Sequence, residues 1–127
     1  MSKKRIIEPF KAIDAASMGA DITSAVTNCK NLDNMCYQVK WSGGSTPVGE
    51  IFVQVTNDDL DNTSQNPEAT ATWTDLDFGS SISVSGNSGN HFININQNPG
   101  AYIRLFYDRA SGSGTMTATL VAKGMGG

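Results

Sequence analysis

The side chains best spaced for chemistry fall in one acidic stretch, Asn57-Asp-Asp-Leu-Asp-Asn-Thr-Ser-Gln-Asn-Pro-Glu68. Asn57, Asp59, Asp61 and Glu68 take the first, third, fifth and twelfth positions of a calcium-loop template, which offers hard oxygen donors to a divalent cation. The sixth position is Asn62, where that template needs glycine for its sharp turn, and Pro67 interrupts the run. Strand-like rather than helical patterns flank it. The expectation is a solvated acidic loop, with these four residues as the candidate metal ligands.

Other chemistries are less well served. His91 is the single histidine, and a nucleophilic triad needs a positioned nucleophile and an orienting acid beside it. No nucleophile-elbow pattern marks a serine, so a strand-edge or surface histidine is expected. The carboxylates gather in loops instead of on core strands, which does not suit paired-acid glycoside chemistry. The glycine-rich turns lack the helix and lysine of a phosphate cradle. Cys29 and Cys36 lie on either side of a plausible connection, residues 30–34, so a bridge is geometrically conceivable. The basic opening Met1–Glu8 is followed by no apolar run of signal-peptide length, which points to synthesis in a reducing cytoplasm and to free thiols. Two cysteines and one distant histidine are too few for a zinc site. No catalytic residue, no cofactor and no enzymatic activity is expected.

Composition narrows the class. A chain of 127 residues and 13.5 kDa suits one domain with a two-layer core. Charged residues make up only 17%, and Ser, Thr, Asn and 13 glycines take their place, favouring strands and turns over helices. A net charge of −3 argues against nucleic-acid binding, although Lys3-Lys4-Arg5 is a local basic cluster at the N-terminus. No apolar run reaches the roughly 20 residues that span a bilayer as a helix, so no membrane partner is expected.

The elements that would position any site are strands. Ala20, Ile22, Ser24 and Val26 alternate with polar residues, as do Met35, Tyr37, Val39 and Trp41, and then Ile51, Val53 and Val55; period two places each set on one sheet face. A long polar loop follows over 57–70. Trp73–Leu76, Ile82–Val84 and His91–Ile95 are shorter strand candidates. Ala101–Tyr107 and Thr115–Ala122 flank Ser111-Gly-Ser-Gly114 in the manner of a hairpin. These make an all-β sandwich of jelly-roll or Greek-key type with about eight strands. Residues 1–19 form an extended N-terminal arm, 20–124 the sandwich and 125–127 a flexible tail. Pro9 interrupts the arm, and Phe10–Met18 leaves a helical turn or two open. Ile103, Leu105 and Tyr107 face one way and Tyr102 and Phe106 the other, so this strand is either central under a second layer or covered by a partner subunit. Arg104 and Arg109 call for carboxylate partners, with Asp108 and the 58–61 loop as candidates. Phe10, Ile13, Tyr102, Arg104 and Phe106 are the expected interface residues.

Three segments carry a resemblance: Ile51-Phe-Val-Gln-Val-Thr-Asn-Asp58, Trp73-Thr-Asp-Leu76, and Tyr102-Ile-Arg-Leu through Ser-Gly-Ser-Gly-Thr to Lys-Gly124. With Ile22-Thr-Ser-Ala-Val-Thr-Asn28, Leu32-Asp-Asn34 and Tyr37 they resemble small β-sandwich structural proteins of tailed phages and prophages, over most of residues 20–124. The resemblance implies a virion component made in the host cytoplasm: a capsid decoration, vertex or other accessory protein. Its partners would be copies of itself and other virion proteins. Val53–Asp58 followed by Trp73 and Tyr102-Ile-Arg104 is also similar to discoidin-like carbohydrate-binding modules, although this chain is shorter and the 57–70 loop separates the pieces. That similarity implies a glycan ligand and a role in host attachment.

Overall fold

In the computed structural model the described residues are 6–29, 32, 34–58, 71–79, 81–96 and 101–123, and they contain strands and no helix. The strands are β1 (Ile6–Ser17), β2 (Ile22–Thr23), β3 (Thr27–Asn28), β4 (Asn34–Ser42), β5 (Val48–Thr56), β6 (Thr74–Asp75), β7 (Ile82–Val84), β8 (Ser88–Asn96), β9 (Tyr102–Ser111) and β10 (Thr115–Lys123). They form two antiparallel sheets. Sheet A has the order β1-β10-β4-β8; sheet B runs β2-β9-β5-β6, with β3 also on β9 and β7 also on β5. Treating β2 with β3 and β6 with β7 as interrupted single strands gives four positions in each sheet. Chain order then crosses between the sheets at every step except β5 to β6/β7, as a folded hairpin wound around the core, which is jelly-roll connectivity.

The alternation seen in the sequence produces the two layers. Met35, Tyr37, Val39 and Trp41 of β4 are all buried, as are Met116, Ala118, Leu120 and Ala122 of β10. Ile51 and Val53 of β5 and Ile103, Leu105 and Tyr107 of β9 are buried in sheet B. The β9 strand is central in its sheet, between β5 and the β2/β3 edge. Tyr37 and Tyr107 have hydroxyls with no hydrogen-bond partner among the described residues. Burial pushes both phenols above the usual tyrosine range; Cys29 adds to the rise at Tyr37, while Arg109 partly offsets it at Tyr107.

Three sequence expectations need correcting. The N-terminal segment is extended, but it is hydrogen-bonded into sheet A along β10 as an edge strand, and Phe10–Met18 forms no helical turn. Its alternation is unclear because three register irregularities, between Ile7 and Phe10, Lys11 and Ile13, and Ile13 and Ala16, repeatedly shift which residues face inward. Ala15, at φ 50°, donates its N–H to the Thr117 hydroxyl at 3.1 Å within this distorted stretch.

The 20–26 run likewise holds only the two-residue β2, and β3 follows just beyond it at Thr27–Asn28. Ser24 breaks it, and its hydroxyl replaces the missing ladder bond by accepting the Leu105 N–H at 2.8 Å while donating to the Ala25 carbonyl at 2.8 Å. Because Ser24 is buried, Ser24→Ala leaves the Leu105 N–H unsatisfied and is expected to cost about 1–3 kcal/mol in urea unfolding. An unchanged midpoint would contradict that role.

The third correction concerns the final hairpin. The β9 and β10 strands are not paired with each other: β9 lies in sheet B and β10 in sheet A, so residues 112–114 arch across the core. Residues 43–47 make a similar crossing from β4 to β5. The two arches bond to each other, Ser45 N–H to the Ser113 carbonyl at 3.1 Å and Ser113 N–H to the Ser45 carbonyl at 3.4 Å. Met18 N–H adds a bond to the Gly114 carbonyl at 2.8 Å, so three crossings close one end of the sandwich.

Candidate functional site

The calcium-loop expectation lies mostly outside the described residues, since Asp59, Asp61 and Glu68 fall there. Asn57 is described: its side-chain oxygen accepts the Ala101 N–H at 2.8 Å, tying the start of the loop to the start of β9. Among the described residues no group of three or more His, Cys, Asp or Glu could hold a metal ion. His91 sits on β8 with its ring 5.6 Å from that of Trp41, and its Nε2 is 2.7 Å from the Ser83 carbonyl of β7. It therefore links the margins of the two sheets. Cys29 is buried and Cys36 half-buried, and the two are not joined in a disulfide. Partial burial raises the Cys36 thiol, with the Ile93 backbone acting in the opposite direction.

The expected interface residues do not share one surface. Ile13 and Tyr102 are 4% and 3% exposed and are buried within the chain itself. Phe10 is 43% exposed on the β1 edge. Arg104 and Phe106 are half-buried on the outer side of sheet B. There Phe106 pairs across the strands with Phe52. Arg104 donates its Nε–H to the Gln54 carboxamide oxygen at 2.8 Å, and its guanidinium lies 4.1 Å from the centre of the Trp73 ring. Gln54 in turn donates to Asp75 at 2.9 Å. Arg109 donates its Nε–H to the Gly112 carbonyl at 2.9 Å, where the sequence suggested a carboxylate. These contacts lock the outer side of sheet B to itself. A stacking platform built from Trp73 and Tyr102 is not formed, because Tyr102 is buried and Arg104 occupies a face of Trp73.

No family model matches the chain, and neither a curated protein nor a solved structure is significantly similar to it.

Two concave features stand out. A cleft of about 350 Å³ opens where β6 and β7 pair with different parts of β5, and Glu50, Phe52, Asp75, Asp77 and Phe78 are among the residues lining it. A broader groove of about 650 Å³ lies over the outer face of sheet A, lined by residues that include Gln38, Ser42, Asn90, Thr115, Thr117 and Thr119. Register places the side chains of this face in rows across the strands, such as Phe92–Gln38–Thr119–Lys11. Cys36 and Asn94 are neighbours of Val121 in the next row. The face is largely hydroxyl and carboxamide, with charge entering at Lys11 and Lys40 and two apolar groups in solvent, Phe92 at 65% and Val121 at 39% exposed.

Phe92 was absent from the expected interface. The signal for it is nevertheless present, because His91, Ile93 and Ile95 alternate around it and their inward direction requires Phe92 to point outward.

Proposed function

We propose that the protein is a non-enzymatic structural subunit of a phage-type virion, a capsid decoration, vertex or other accessory component. It works by packing against copies of itself and against neighbouring virion proteins. The observation that carries this reading is the composition of the outer face of sheet A. Interface centres are depleted in charge and contain aromatic groups, and this face joins Ser, Thr, Asn and Gln side chains to the exposed Phe92 and Val121, with Lys11 and Lys40 the charged groups lining its groove. A charge-poor surface meets many copies of itself without strong repulsion. The jelly roll is compatible with the reading without selecting it, since capsid, lectin and cupin domains share that architecture.

Light scattering over a concentration series tests it. A discrete oligomer is the expected result. A monomer at the highest concentration, together with a shift on a glycan array, would favour the carbohydrate-binding reading instead. That role would have to use the hydroxyl-rich groove over sheet A, because Tyr102 is inaccessible.

A further inference from the structure

Each sheet has two edges, and an open edge is a row of unpaired N–H and C=O groups able to pair with another chain. Proteins block such edges with proline, charge, bulges or short strands. Three of the four edges here are blocked in one of those ways. The β1 strand has Pro9, Lys11 and Asp14 and three register irregularities. At the sheet B edges, β2, β3 and β6 have two residues each and β7 has three.

The β8 edge has none of these devices. It runs for nine residues, Ser-Gly-Asn-His-Phe-Ile-Asn-Ile-Asn, with no proline and no Asp, Glu, Lys or Arg. Its pairing with β4 proceeds through all nine positions without a register shift, so the strand is regular. Among the described residues, no backbone hydrogen bond outside the ladder with β4 involves β8. Its central residue, Phe92, is the large hydrophobic side chain with the greatest exposure among the described residues.

The geometry points to β8 as the edge through which two copies of this chain join, antiparallel about Phe92, into one continuous eight-stranded sheet. The inference rests on the assembly reading above and names the contact. The segment is suited to meet itself. A two-fold axis at Phe92 sets the two Phe92 rings side by side on the outer face. It places Asn90 opposite Asn94 of the other copy and His91 opposite Ile93, with no like-charge pair anywhere along the seam. Backbone hydrogen bonds supply the attraction and the aromatic pair fixes the register.

The test is sedimentation velocity on the full chain and on Phe92→Lys, with circular dichroism confirming that the variant is folded. Phe92 is exposed, so the substitution leaves the core intact, but it sets two ammonium groups against each other across the axis. The dimer dissociation constant should rise about tenfold or more. Mixing Phe92→Lys with Phe92→Glu should restore association between the two variants. Val48→Lys, at an exposed position on β5 of the other sheet, should leave the dimer unchanged. If Phe92→Lys associates as the wild type does, the β8 contact is wrong while the assembly reading stands. A wild-type chain that stays monomeric throughout overturns both.

Discussion

Replacing Gly112 with alanine is expected to lower stability by about 3 kcal/mol or more, a fall of roughly 10 °C in unfolding midpoint for a domain of this size. Two effects add. Gly112 has φ 78°, a left-handed conformation that costs an L-residue about 1–2 kcal/mol. A β-carbon there would also collide with the backbone carbonyl of Thr46, which belongs to the other arch and cannot swing aside as a flexible side chain would. Gly43 separates the two effects. It has φ 76°, but nothing lies within 4 Å of where its β-carbon would be, so Gly43→Ala should cost only the strain, about 1–2 kcal/mol. Equal losses at the two positions would mean that contact between the arches is unimportant. A clear excess at Gly112 would establish that the crossings at this end are tightly apposed.

Tyr37 is the second position where a large effect is expected, and its sign depends on the replacement. The side chain is fully buried in the middle of β4. Tyr37→Ala removes the ring and leaves a cavity, at a cost of about 3–5 kcal/mol. Tyr37→Phe removes only a hydroxyl that is desolvated with no partner among the described residues, and should be neutral or stabilising by about 1 kcal/mol. The pH dependence follows from the same burial. A tyrosine in the unfolded chain ionises near pH 10, whereas the buried Tyr37 holds its proton to higher pH. Stability from this source is therefore complete below about pH 10 and declines as pH rises beyond it. Tyr37→Phe should shift alkaline unfolding to higher pH. If it instead destabilises at neutral pH, the hydroxyl has a partner after all.

Much of the fold was legible because period-two alternation follows directly from strand geometry. Met35, Tyr37, Val39 and Trp41 show it without interruption, and all four lie in the core. The β1 strand was illegible for the converse reason: a bulge moves the inward set by one residue, and three irregularities within a single strand erase the period. The arch at 112–114 was misread because a glycine-rich turn between two strands looks the same whether it joins neighbours in one sheet or crosses between sheets. What distinguishes them is the partner of each strand, β5 for β9 and β4 for β10, and pairing over long separations leaves no local mark. Ile13 and Tyr102 were recognisable as apolar, but not as internal to one subunit. Phe92 could have been found by asking which large residue falls on the polar phase of an alternating strand. The importance of its edge required knowing that β8 ends its sheet.

Amide hydrogen exchange followed along the chain at low and high protein concentration tests the assembly account most directly. The account predicts that residues 88–96 gain protection as concentration rises, while the β1 edge and the short strands at the edges of sheet B exchange as before. Exchange at 88–96 that stays constant while the measured mass increases would contradict it, and the contact would then be sought on whichever segment became protected.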